Sequence, residues 1–132
     1  MYKAIIFDFF GVVHDGRRLD RDVIALIKEL RGAYKIGLLS NSSRGFLRPL
    51  LEQEGVADLF DEVIVSGEVG ISKPEPGIFT HALEQMNVVP EEAVFIDDSS
   101  GNVAAASSVG IRSIFFTGEP LLREELRKLN IL

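Results

Sequence analysis

The sequence predicts an α/β fold: a Rossmann-like three-layer sandwich whose five-stranded parallel sheet carries helices on both faces. Three observations lead there. Short, almost wholly apolar runs recur along the chain, as in strands buried on both sides. Segments of helical period separate these runs, most of them bounded by capping or turn residues. Several of the apolar runs end abruptly in Asp, Ser or Asn, at the strand ends where open parallel sheets hold their ligands.

Ala4-Ile5-Ile6-Phe7 is the first strand, closed by Asp8, with Gly11 able to turn the backbone away. Taken alone, Asp8 reads equally well as a turn residue. Asp15-Gly16, between Val12-Val13-His14 and Arg17-Arg18-Leu19, predicts a two-residue hairpin, a tight flap. Asp20 is placed to cap a helix over 21–31, with Val23, Ile24, Ile27 and Leu30 on one stripe and Gly32 as its stop. Lys35 to Leu39 is the second strand, followed by Ser40-Asn41-Ser42-Ser43. The next helix, 44–54, turns Phe46, Leu47, Leu50 and Leu51 inward, with Pro49 either kinking it or marking its first turn.

Glu62 to Val65 is the third strand, and Gly67, Gly70, Lys73, Pro74 and Pro76 punctuate a long loop after it. A helix over 76–86 faces inward with Phe79, Ala82, Leu83 and Met86. The fourth strand, 93–96, runs into Asp97-Asp98-Ser99-Ser100, and the helix at 101–109 is rich in Ala and other small residues, so it can lie close to the sheet. Residues 112–116 form the fifth strand, and 120–130 a final helix with Leu121, Leu122, Leu126 and Leu129.

With 46% hydrophobic and 26% charged residues, the chain suffices for one compact domain over 1–132. A net charge of −6 without any strong Lys/Arg cluster argues against a nucleic-acid or anionic-membrane partner. The absence of Cys excludes disulfides, thiolate chemistry and Cys-based zinc sites. Lys3 and Asp8 interrupt the first apolar segment, and no other run is long enough to span a bilayer, so a cytoplasmic protein is expected.

Asp8, Ser40-Asn41 and Asp97-Asp98 all fall at C-terminal strand ends, with Lys73 in the loop after another strand. For the acids to meet, strands 1 and 4 must be neighbours. The expected order is therefore 3-2-1-4-5, with the switch between strands 1 and 4. Three carboxylates at one edge repel one another and raise a pKa; a divalent cation that prefers oxygen ligands, Mg²⁺, relieves this.

The stretches FDFFGVV, LLSNSS, KPEPGIF and VFIDDSSGN, in that order, give the chain its resemblance to the haloacid dehalogenase superfamily over nearly its whole length. That resemblance implies a nucleophilic Asp8, with Ser40 and Lys73 binding and neutralising the transferred group and Asn41 beside them. It implies Mg²⁺ held by Asp8, the backbone carbonyl of Phe10, and the pair Asp97 and Asp98, the latter more directly. Asn102 falls where the family often has a supporting acid or amide. The chemistry agrees, since a carboxylate attacking phosphorus needs positive charge to offset both partners.

The chain departs from the pattern twice. Phosphatases of the superfamily usually have a second Asp two residues after the nucleophile to protonate the leaving oxygen, and here that residue is Phe10. Its absence costs on the order of 10²–10⁴ in rate for poor leaving groups. Relatives with these motifs also normally carry a helical cap between the first two, where Asp15-Gly16 leaves room only for a flap. The expectation is an Mg²⁺-dependent phosphatase of reduced activity with an open site, acting on a phosphorylated small molecule or a larger phosphorylated substrate. Ranked below it are a non-catalytic, binding descendant of the fold and a metal-independent 2-haloacid dehalogenase, whose branch has an aromatic residue at the position of Phe10.

Other polar residues are expected in plain roles. His14 is read as a solvated loop residue in preference to a substitute acid, and His81 as a helix-surface residue. Asp15 is a turn residue, and Ser99-Ser100 cap the helix that follows. Arg17 and Arg18 belong to a solvated flap, and the glycines form no G-x-x-x-x-G-K-[ST] phosphate loop.

Overall fold

A computed structural model describes residues 1–132. Its five strands, β1 (Ala4–Phe7), β2 (Lys35–Ser40), β3 (Glu62–Val65), β4 (Ala93–Asp97) and β5 (Arg112–Phe115), form one sheet in the order β3-β2-β1-β4-β5. Every adjacent pair is parallel. The helices are α1 (Arg21–Leu30), α2 (Leu47–Gln53), α3 (Ser66–Val69), α4 (Pro76–Met86), α5 (Ser100–Ser108) and α6 (Glu119–Lys128). None is long and apolar enough to cross a membrane.

Strand alternation divides the core in two. Ile5, Phe7, Ile36, Leu38, Val94 and Ile96 pack with α1, α2 and α6 through residues such as Val23, Ile27, Leu47, Leu51, Leu122 and Leu126. Ala4, Ile6, Leu39, Ile64, Ala93 and Phe95 pack with α4 and α5 through Ile78, Phe79, Leu83, Met86 and Ala106. The apolar runs are thus buried on both faces, as their composition requires. Gly37 of β2 lets α4 approach, since a Cβ there would stand 2.6 Å from the Met86 sulfur.

The termini of the elements follow local chemistry. The Asp20 carboxylate accepts from the Asp22 and Val23 N–H groups at 3.0 and 3.2 Å, and Ser99 Oγ accepts from Asn102 N–H at 3.3 Å. Pro49 lies within the first turn of α2, which begins at Leu47 rather than residue 44. Phe46, expected on the inward stripe, therefore precedes the helix and is exposed. Leu121 is exposed too: Leu122 and Leu126, one turn apart, face the core, and Leu121 sits about 100° away around the helix axis. The long loop after β3 contains the helical turn α3, which its glycines did not suggest.

The flap between β1 and α1 turns one residue later than expected. His14 pairs antiparallel with Leu19, and the Asp15 N–H donates to the Arg18 carbonyl at 2.9 Å, making Gly16 and Arg17 the central residues. Asp15 Oδ1 accepts from the Arg17 and Arg18 N–H groups at 2.7 and 2.9 Å, so a side chain replaces the backbone acceptor of a regular hairpin. Those bonds hold the Asp15 carboxyl below its ordinary pKa.

Candidate active site

Register explains how the acids meet. Phe7 of β1 lies level with Ile96 of β4, so the residues that follow, Asp8 and Asp97, stand side by side. They share the parity of Ile6 and Phe95, whose side chains face α4 and α5. Lys73 enters from the loop preceding α4, on that same side. Its Nζ donates to Asp8 Oδ1 at 2.6 Å, to Asp97 Oδ2 at 2.9 Å and to the Leu39 carbonyl at 3.0 Å, and all three charged side chains are buried. Asp98, of opposite parity, is exposed.

One buried ammonium cannot neutralise this cluster. Burial pushes the Asp8 carboxyl up to about 7; the Lys73 charge and hydrogen bond oppose that shift, and the neighbouring Asp97 and Asp98 charges add to it. Carboxylate oxygens of Asp8, Asp97 and Asp98 all lie within 4.8 Å of one another. A set of hard oxygen donors with unbalanced negative charge suits Mg²⁺. Asp97 is already engaged: Oδ1 accepts from Ser99 N–H at 2.9 Å, and Oδ2 accepts from Lys73 and from Asn102 Nδ2 at 3.1 Å. The Asp8 Oδ2 oxygen and both oxygens of Asp98 accept no hydrogen bond, so these two carboxylates have room for a further partner.

The β2 end supplies neutral groups. Ser40 is buried, with its hydroxyl 2.6 Å from that of Ser42. Asn41 brackets the lysine loop: its Oδ1 accepts from Lys73 N–H and its Nδ2 donates to the Lys73 carbonyl, both at 2.9 Å. Ser66, at the end of β3, holds the loop after β2 by accepting from Ser42 N–H at 3.0 Å and donating to the Ser42 carbonyl at 3.2 Å. The sequence reading missed Ser66, whose only signal was its place at a strand end.

Around the first loop, the backbone N–H groups of Phe9 and Phe10, like that of Asn41, make no internal hydrogen bond. A reading confined to side chains could not find them, yet unpaired N–H groups at strand ends are natural anion donors. His14 is buried rather than solvated. Its Nδ1 accepts from Gly16 N–H at 3.0 Å, which places the proton of the neutral ring on Nε2, and the ring stacks on Phe9. His81 lies half-buried on α4. Phe10, two residues after Asp8, is 37% exposed and does not belong to the core.

Comparison with known proteins agrees with this architecture. A family model described as haloacid dehalogenase-like hydrolase matches residues 17–110. The sesquiterpene phosphatase astK of Aspergillus oryzae is 31% identical over 85% of this chain and 58% of its own length. The phosphoserine phosphatase of Thermus thermophilus is 36% identical over 68% of this chain and 36% of its own. This chain thus spans less than two thirds of either relative. A HAD family enzyme of Bacteroides thetaiotaomicron, solved in complex with magnesium and inorganic phosphate, shares the fold with a TM-score of 0.79 at 20% identity. That match covers 89% of this chain and 95% of the other.

Proposed function

The chain belongs to the haloacid dehalogenase-like hydrolases, and we propose that within them it is an Mg²⁺-dependent phosphatase that works through an aspartyl-phosphate at Asp8. The observation that carries this reading is the convergence of Asp8, Asp97 and Asp98 oxygens within 4.8 Å of one another, with a single lysine bonded to the first two. A metal-free dehalogenase would face an anionic substrate with that charge uncompensated. Phosphatases among the relatives support the same reading.

Each residue then has a task. Asp8 attacks phosphorus, forming an Oδ–P bond while the ester P–O bond breaks with its electron pair on the leaving oxygen. Water hydrolyses the resulting acyl phosphate and regenerates Asp8. Ser40 and the unpaired N–H groups of Phe9, Phe10 and Asn41 receive phosphoryl oxygens, and Lys73 favours the ionised form of Asp8 against its burial and offsets its charge. Asn41 and Ser66 hold the loops that carry Lys73 and Ser42, and Asn102 orients Asp97. Asp8, Asp98 and the Phe10 carbonyl, with Asp97 behind, would hold Mg²⁺, which supplies Lewis-acid neutralisation of the phosphate. Phe10 offers no proton to the leaving oxygen, so activity on poor leaving groups is weak.

The same reading takes residues 1–132 as one core domain whose flap stands in place of a cap, leaving the site open. Assays with p-nitrophenyl phosphate and a 2-haloacid, each with and without Mg²⁺, test it. Turnover of the phosphate only with Mg²⁺ is expected. Metal-independent release of halide would establish the dehalogenase instead, and silence on both, a binding protein.

A further inference from the structure

Phe10 and Phe46 rise at the rim of the site from the two loops that carry its central groups. Phe10 follows Asp8 at the end of β1, and Phe46 follows Ser40 and Asn41 at the end of β2. They are 37% and 52% exposed, yet their ring centroids lie 6.0 Å apart with planes tilted by 34°. Phe10 is held by edge contacts with Phe9 at 4.8 Å and His14 at 5.4 Å, so its ring is oriented before any ligand arrives. Phe46 occupies the residue before α2 and makes no capping bond there, where Ser, Thr, Asp or Asn is favoured. An exposed aromatic that breaks a local rule, on the loop leaving the strand end that carries Ser40 and with its ring near Phe10, points to function rather than to folding.

Resting on the phosphatase reading, we propose that Phe10 and Phe46 form the binding surface for the leaving group, and that the substrates are aryl phosphate monoesters. Two properties of the site select the same chemistry. A phenol has a pKa of about 10, well below that of an aliphatic alcohol, so its oxygen departs with little need of the absent general acid. Its ring can pair with the two phenylalanines in edge or offset geometry, a gain beyond area burial. A sugar or amino-acid phosphate would instead press hydroxyls or charge against an apolar rim. The step balances without a co-reactant beyond water: the Asp8 Oδ–P bond forms, the aryl P–O bond breaks with its electrons on phenolate, and the phenolate takes a proton from water.

The test compares 1-naphthyl phosphate with acetyl phosphate, whose leaving group needs no proton and carries no ring to pair with Phe46. In Phe46→Ser the ratio of kcat/KM for naphthyl over acetyl phosphate should fall about tenfold, and Phe46→Tyr should restore it. An unchanged ratio in a folded Phe46→Ser variant overturns the aryl proposal, and turnover of both esters by the wild type leaves the phosphatase reading standing. If the wild type turns over neither, the phosphatase reading fails, and binding still decides the rim's role. Calorimetry with Mg²⁺ should show 1-naphthylphosphonate binding at least tenfold tighter than methylphosphonate, an advantage lost in Phe46→Ser. Equal binding of the two by the wild type would refute a role for the pair.

Discussion

The Asp98 carboxylate lies against the backbone of Gly11, so that a Cβ on Gly11 would overlap the carboxyl group. Gly11 also has a φ of 98°, a region that residues with a Cβ rarely adopt. Gly11→Ala should therefore destabilise the fold by ~1–2 kcal/mol through backbone strain and displace Asp98 from the acidic cluster. Wild type should melt higher in Mg²⁺, because the cation binds only the folded cluster. That rise should vanish in Gly11→Ala and in Asp98→Ala, as read by calorimetry. A full Mg²⁺ response in either variant would remove Asp98 from the metal site.

Asp8 makes stability depend on pH with a definite sign. Its folded pKa of about 7 exceeds the ordinary carboxyl value of 3.8, so the folded state holds its proton more tightly than the unfolded chain. The contribution is complete below pH 3.8 and is lost as pH rises to about 7. Without divalent cations, the melting temperature should carry a falling component across that window. Asp8→Asn should flatten it, keep or raise stability near neutrality, and abolish hydrolysis; retained turnover would show that the nucleophile lies elsewhere.

Lys73 holds two buried carboxylates, and removing it leaves both without a countercharge. Lys73→Met should cost ~3–5 kcal/mol in urea unfolding, the scale for breaking a buried ion pair. Adding Asp8→Asn should recover part of the loss, since the two substitutions share one interaction. Strictly additive costs would mean that the ion pair contributes little.

Phe10→Asp should raise turnover of alkyl phosphates roughly tenfold or more, within the ~10²–10⁴ typical of general acid catalysis and discounted for placement. Because Phe10 is 37% exposed, the new carboxylate stays in contact with water and the melting temperature should change little. The gain should be largest for the poorest leaving groups, flattening the dependence on leaving-group pKa. A folded variant with no gain would sink the missing-acid account.

What the chain determined locally was readable from it alone. A strand buried on both faces must be an apolar run, and a helix must begin where its first N–H groups find an acceptor, so 4–7, 62–65, Asp20 and Ser99 all lay where they were expected. The order β3-β2-β1-β4-β5 followed from a chemical requirement, that acids at two strand ends share one edge. The direction in which side chains act was decided by packing between distant residues. Lys73 reaches Asp8 across 65 positions, Asn41 holds the Lys73 backbone, and Gly11 makes room for Asp98. His14 is buried because Phe9 and Phe10 close over it, while Phe46 stays exposed because α2 begins one residue later. Residue types and spacing specify which groups are available at the site; only the assembled sheet and loops settle which of them are already engaged with one another and which remain free to meet a ligand.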